Sequence, residues 1–128
     1  MKIQKKYLEL LYKVVKEYKT PKMALGRIRD KFLRDLAPQV DQYIKDREEI
    51  YKQFCIKKED KTPDLLKGTQ YQFLPEILEE LNNELKTLGD EEIDVINPPE
   101  LKNMIEESSY ETQAGETLII DEIIKLIV

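Results

Sequence analysis

The chain has 128 residues, with 21 Lys and Arg, 26 Asp and Glu, one Cys, no His and no Trp, for a net charge of −5. Without histidine there is no Ser-His-Asp or Cys-His nucleophile, no His-ligated zinc or haem, and no side chain whose ordinary pKa lies near neutrality. The length is that of one domain able to bury its own core, and the lone Cys55 has no intramolecular disulfide partner, which suits a reducing compartment.

No apolar run approaches the ~18 residues of a membrane span. Lys2, Lys5, Lys6, Glu9 and Lys13 interrupt any signal-peptide stretch. A soluble intracellular protein without a membrane partner is expected. The charge is uneven: residues 1–61 carry 17 basic and 10 acidic side chains, a net of +7, and residues 62–128 carry 4 and 16, a net of −12. In one domain the two halves are expected to neutralise each other.

Leu8, Leu11, Val15 and Tyr18, at 3/4 spacing, predict a first helix over about 3–19, closed by Thr20-Pro21. Leu25, Ile28, Phe32, Leu36, Val40, Tyr43, Ile50 and Phe54 predict a second helix, about 34 residues long, with Pro38 as a kink or tight break. The two form an antiparallel hairpin. Residues 57–70 read as a loop. Tyr71-Gln72-Phe73 is a strand candidate, and a third helix runs from Pro75 to Leu88 with Gly89 as its C-cap. Ile93-Asp94-Val95-Ile96 is the second strand candidate, pairing with the first. Pro99–Ser108 forms a short helix, 108–115 a linker, and Glu116–Val128 a very apolar final helix. The expected fold is mainly α (α+β): a long helical hairpin, shorter helices and a small two-stranded element. It is one domain over 1–128, with a basic hairpin (1–55) and an acidic α+β half (56–128).

Chemistry-bearing motifs are few. Asp90, Glu91, Glu92 and Asp94 form the densest acidic group, but no Ca²⁺-loop spacing fits, and they read as a solvated loop. Asp94 with Glu100-Leu101-Lys102 carries the D…ExK order of metal-dependent nucleases, yet here it follows Pro98-Pro99 and opens a helix. There is no Gly-rich phosphate loop, and Cys55 reads as a buried small hydrophobe. No enzymatic activity, cofactor or metal is expected. Arg27, Lys31 and Arg34 share one face of the second helix, and Tyr12 projects near Lys5, Lys16 and Lys19, a pattern able to contact nucleic acid. Arg29 and Arg47 fall inside the apolar stripe, 18 residues or about five turns apart. Such arginines require carboxylate partners. They are expected to clamp the acidic half, the alternative being an Arg-lined groove for an acidic partner. Glu79, Glu80, Asp90, Glu91, Glu92 and Asp94 are the acidic interaction candidates. The final helix, with Ile119, Ile120, Ile123, Ile124, Ile127 and Val128, has more apolar surface than one face needs and is a candidate for self-association.

In layout the chain resembles a family of small phage and prophage proteins, the domain of unknown function 1617. Arg27-Ile28-Arg29-Asp30-Lys31-Phe32 is similar to its R-x-R-x-R-F stretch. Arg47-Glu48-Glu49-Ile50-Tyr51-Lys52-Gln53-Phe54-Cys55 is similar to its E-x-I-x-K-x-aromatic-C pattern, followed by an acidic turn at Lys58-Glu59-Asp60. Tyr71 before a helix and Ile93–Ile96 parallel its later segments. The Gly-Lys-x-Ser that precedes the Arg pair in the family is replaced by Met23-Ala24-Leu25-Gly26. The resemblance implies a phage origin, a place in the host cytoplasm or virion, and no defined activity. The functional expectation is a protein-binding accessory factor, with a host-directed inhibitor or a nucleic-acid binder as alternatives.

Overall fold

A computed structural model describes residues 1–127. Among these residues the chain forms β1 (Lys2–Gln4), a 3-10 turn (Lys5–Tyr7), α1 (Leu8–Lys16), α2 (Met23–Phe54), a second 3-10 turn (Pro75–Ile77), α3 (Leu78–Asp90), β2 (Glu92–Asp94), α4 (Leu101–Glu106) and α5 (Glu116–Leu126). The fold is mainly α with one small antiparallel sheet, as the apolar spacing of the sequence predicts.

The hairpin forms as its apolar spacing predicts, but the first helix starts late. Residues 2–4 are a strand, with Lys2, Ile3 and Gln4 opposite Asp94, Ile93 and Glu92. The backbone N–H of Val95 donates to the Met1 carbonyl, the Met1 amine donates to the Val95 carbonyl, and the Lys5 N–H donates to the Glu91 carbonyl. The burial alternates along both strands, with Ile3 and Val95 buried while Lys2, Glu92 and Asp94 are exposed. This is the period of two that a strand imposes. The sheet therefore uses the expected second strand, but its partner is the N-terminus and not Tyr71–Phe73. That segment is extended and unpaired as a strand. Its Gln72 carbonyl accepts the Ile56 N–H, and the Tyr71 and Phe73 rings lie 5.7 and 6.0 Å from the Tyr51 ring.

α2 is continuous for 32 residues, about 48 Å, straight through Pro38. Pro38 lies on the exposed side, where the unpaired carbonyl one turn earlier meets water instead of core. Phe32, Leu36, Val40 and Tyr43 are its buried positions. α3 extends two residues beyond the expected end. Gly89 does not cap it: Gly89 is buried inside the helix, where a Cβ would meet the Lys6 Cβ at 3.2 Å and the Tyr43 hydroxyl at 3.5 Å. The small residue is needed for close approach, not for a left-handed turn.

One apolar cluster draws on β1, α1, α2, α3, α4, α5 and the end of β2, with Ile3, Leu8, Leu11, Val15, Leu36, Leu101, Met104 and Ile123 fully buried. Each such side chain stabilises the fold by about 1.5–3 kcal/mol. The apolar excess of α5 is largely taken up within the chain. Ile123 is buried, and Ile119, Ile120, Ile124 and Ile127 pack on the cluster, leaving Leu118 and Leu126 exposed. Val128 lies outside the described residues.

Candidate interaction surface

The two stripe arginines have local partners, so the expected clamp between the halves does not form through them. Arg47 Nη1 donates to Glu9 Oε1 at 2.6 Å and its guanidinium lies 5.4 Å from the Tyr43 ring centre. Glu9 is on α1, within the basic half. Burial is the largest single influence and lowers the Arg47 pKa; the Glu9 hydrogen bond and the charge of Glu9, with smaller contributions from Tyr51 and Tyr43, together outweigh it and raise the pKa. Arg29 Nη1 donates to the Tyr18 carbonyl at 2.8 Å, and its Nε to the Asp30 carboxylate at 2.9 Å. The exit of α1 needs such donors, because terminal carbonyls have no partner within their own helix. Ser108 and Ser109 complete the cap, donating through Oγ to the Val14 and Glu17 carbonyls. Arg29 is thus a capping residue for the hairpin turn.

The halves are joined by lysines instead. Lys5 Nζ lies 2.6 Å from Glu91 and Lys6 Nζ 2.9 Å from Asp90, which also meets Lys86 at 3.4 Å. The Lys6 hydrogen bond holds the Asp90 carboxyl below its ordinary range and raises the Lys6 pKa in return. Asp90 and Glu91 are therefore ion-paired at the end of α3, not a solvated loop. Glu92 and Asp94 are exposed on β2, and the Asp94 carbonyl accepts from Gln39 Nε2. Tyr12 is partly buried against the core and not outside it, since α4 and α5 cover α1 from the side the hairpin leaves open.

Arg27, Lys31 and Arg34 are exposed on one side of α2 and, among the described residues, make no ion pair. Beside them runs a groove between α2 and the segment 94–100. Its wider part, about 190 Å³, is lined by Ile28, Lys31, Phe32, Asp35, Ile96, Pro98 and Glu100. A narrower continuation of about 100 Å³ reaches Leu36, Gln39 and Val95. Both fall below the ~300–1,000 Å³ of small-molecule pockets, a size suited to single apolar side chains of a docked chain. Ile96 is 57% exposed at its mouth. Of the residues lining its wider part, spacing along the sequence singles out Lys31 as an interaction candidate but not Ile28, Phe32, Ile96 or Pro98. The signal for Ile96 was an apolar residue two positions after a strand and just before Asn97-Pro98, in a segment where helix is disfavoured. Glu79, Glu80 and Glu84 are exposed on α3, with Glu76 in the 3-10 turn before it, far along α2 from the groove, and none is ion-paired among the described residues.

The fold and this surface define a small, mainly α-helical domain with an open apolar groove of mixed charge at its edge. The chain belongs to the family described as protein of unknown function (DUF1617), whose model matches residues 1–127. No curated protein and no solved structure matches it.

Proposed function

We propose that the chain is a non-enzymatic protein-binding accessory factor that docks its partner in the groove between α2 and residues 94–100. The observation that carries this reading is the exposed Ile96 beside an apolar trough of Ile28, Phe32 and Pro98, with Lys31, Asp35 and Glu100 as its charged lining. Apolar anchors in small pockets with a charged rim are the usual anatomy of a docking site. The resemblance to phage proteins supports a role in the virion or late in infection, with the host cytoplasm as the place of action. No helix among the described residues is long and apolar enough to cross a membrane.

Ile96→Asp and Lys31→Glu test the reading, each checked for a wild-type circular dichroism spectrum and melt. A partner retained stoichiometrically by the wild-type protein is released by both variants. Retention unchanged in both overturns the groove as the docking site. Mass spectrometry of purified particles then tells a virion component from a factor acting in the cell.

A second reading has its own observation. Glu79, Glu80 and Glu84, with Glu76 in the preceding 3-10 turn, make the start of α3 an exposed acidic face able to block a basic groove on a host protein. It predicts that the protein displaces DNA from such a partner and that Glu79→Lys with Glu80→Lys loses this. The basic end around Arg27, Lys31 and Arg34 supports nucleic-acid binding more weakly; a salt titration against DNA and RNA with no binding at low salt removes it.

A further inference from the structure

A separate cavity lies between α1, the end of α4, the linker 107–115 and α5. It measures about 310 Å³, which reaches the ~300–1,000 Å³ of small-molecule sites that the groove does not. Its base is apolar: Val14 and Ile105 are buried, and Ile120 and Ile124 are partly buried. Its charged side chains stand at the mouth, where Glu106 and Asp121 are exposed. The linker that forms one wall is held in place. Glu116, the first residue of α5, accepts the Tyr110 hydroxyl at 3.0 Å and the Gln113 N–H at 2.7 Å.

The polar lining has one sense. Its charged members, Glu106 and Asp121, are both acidic, and among the described residues no lysine or arginine lines the cavity. The neighbouring cations are engaged: Lys102 lies 3.8 Å from Glu106, and Lys125 pairs with Glu122 at 3.4 Å. Asp121 has no ion-pair partner among the described residues. The hydroxyls of the lining add to this. Tyr110 spends its proton on Glu116, Ser108 on the Val14 carbonyl and Thr117 on Thr112. Ser108 also accepts the Tyr110 N–H, which leaves it one lone pair. Their oxygens remain acceptors, as ionised carboxylates are, and only Thr112 keeps a hydroxyl proton to give.

We propose that this cavity binds a small organic amine in its protonated form. An aryl or branched alkyl body lies on Val14, Ile105, Ile120 and Ile124, and the ammonium sits beside Asp121 and Glu106. A primary ammonium brings three N–H donors and a full charge to side chains that offer almost only acceptors. A carboxylate or phosphate there meets like charge and lacks donors. The site shares no residue with the groove, so it stands or falls apart from the protein-docking reading.

Titration of the full chain with phenethylamine, followed by heteronuclear NMR, tests this. Phenethyl alcohol is the neutral control and phenylacetate the anionic one. The amine shifts amides within residues 105–124 and binds about tenfold or more tightly than the alcohol, the worth of one charge-assisted hydrogen bond. Phenylacetate does not bind. Asp121→Asn with Glu106→Gln removes both charges at exposed positions, and with an unchanged melt it binds the amine no more tightly than the alcohol. Thr117→Arg sets a fixed guanidinium at the mouth and abolishes amine binding. An amine that shifts none of the lining residues at millimolar concentration overturns the proposal. So does an alcohol bound as tightly as the amine, or a double variant that still prefers the amine.

Discussion

Arg47 on α2 reaches across the hairpin to Glu9 on α1, with 2.6 Å between guanidinium nitrogen and carboxylate oxygen and each side chain only about 30% exposed. The pair fixes the register of the two helices at the end away from their connecting turn. Arg47→Met leaves Glu9 half-buried without a partner and lowers the unfolding free energy by about 1–3 kcal/mol. Urea denaturation of Arg47→Met and of Glu9→Leu with Arg47→Met checks it. The double variant recovers most of the loss, because no lone charge remains; a double variant as unstable as the single one contradicts this.

The Lys6–Asp90 pair makes stability fall in acid. A carboxyl held below its ordinary value stabilises the fold above that value, and the contribution is lost as pH falls through the depressed one. Asp90→Asn is therefore less stable than wild type at neutral pH. The difference in Tm closes as pH drops below the ordinary aspartate value of 3.8. A difference that persists unchanged at pH 2 rules out the ion pair as its source.

Tyr71 behaves in the opposite sense. Its hydroxyl donates to Glu48 at 2.8 Å, and this bond, with burial second, pushes the phenol up to about 12 from 10.0. The stabilisation is complete below pH 10.0 and disappears as pH rises towards 12. Tyr71 ionises late in an absorbance titration, as does Tyr110, whose pKa is raised by burial and the Glu116 hydrogen bond, and Glu48→Gln brings the Tyr71 step earlier. An unchanged titration curve in Glu48→Gln refutes the assignment.

Gly89 is a packing requirement. Elsewhere in a helix, Gly→Ala gains about 0.5–1 kcal/mol; here the new methyl meets Lys6 Cβ at 3.2 Å, so the gain is lost. Gly89→Leu costs about 1–3 kcal/mol by overpacking, with chemical denaturation as the measure. A more stable Gly89→Leu would mean that α3 slides freely over the 3-10 turn.

Pro38 deprives a continuous helix of one hydrogen bond on its wet side. Pro38→Ala restores it and raises stability by about 1–3 kcal/mol, up to the full helix-interior penalty. A lower Tm in Pro38→Ala would show that a bend at this point serves the packing of α1.

α2 was legible because Phe32, Leu36, Val40 and Tyr43 hold one phase on both sides of Pro38, and a pattern that survives a proline is set by the core. β1 was not. Ile3 stands four residues before Tyr7 and eight before Leu11, so it fits the helical stripe as well as a strand, and the residue that decides between them, Ile93, is far away in sequence. Helical projection placed Arg29 and Arg47 on the apolar stripe but is silent on what faces that stripe. Glu9 and the Tyr18 carbonyl are visible only once the hairpin register is known. The groove was half legible: its α2 wall of Ile28, Lys31, Phe32 and Asp35 follows from helical spacing, whereas its other wall, Ile96 to Glu100, comes from a non-helical segment with no period to read.

The pairing of Ile3 with Ile93 also governs the timing of synthesis. About 90 residues separate the two strands. At the ordinary 5–20 residues per second of translation, roughly 5–18 s pass before the second strand is made. During that time Ile3, only 1% exposed in the finished fold, has no sheet to join, and the hairpin stands without the strand that closes its end. The nascent chain is thus committed to a late, long-range closure, and a ribosome stalled before residue 93 holds a sticky intermediate in place of a folded domain.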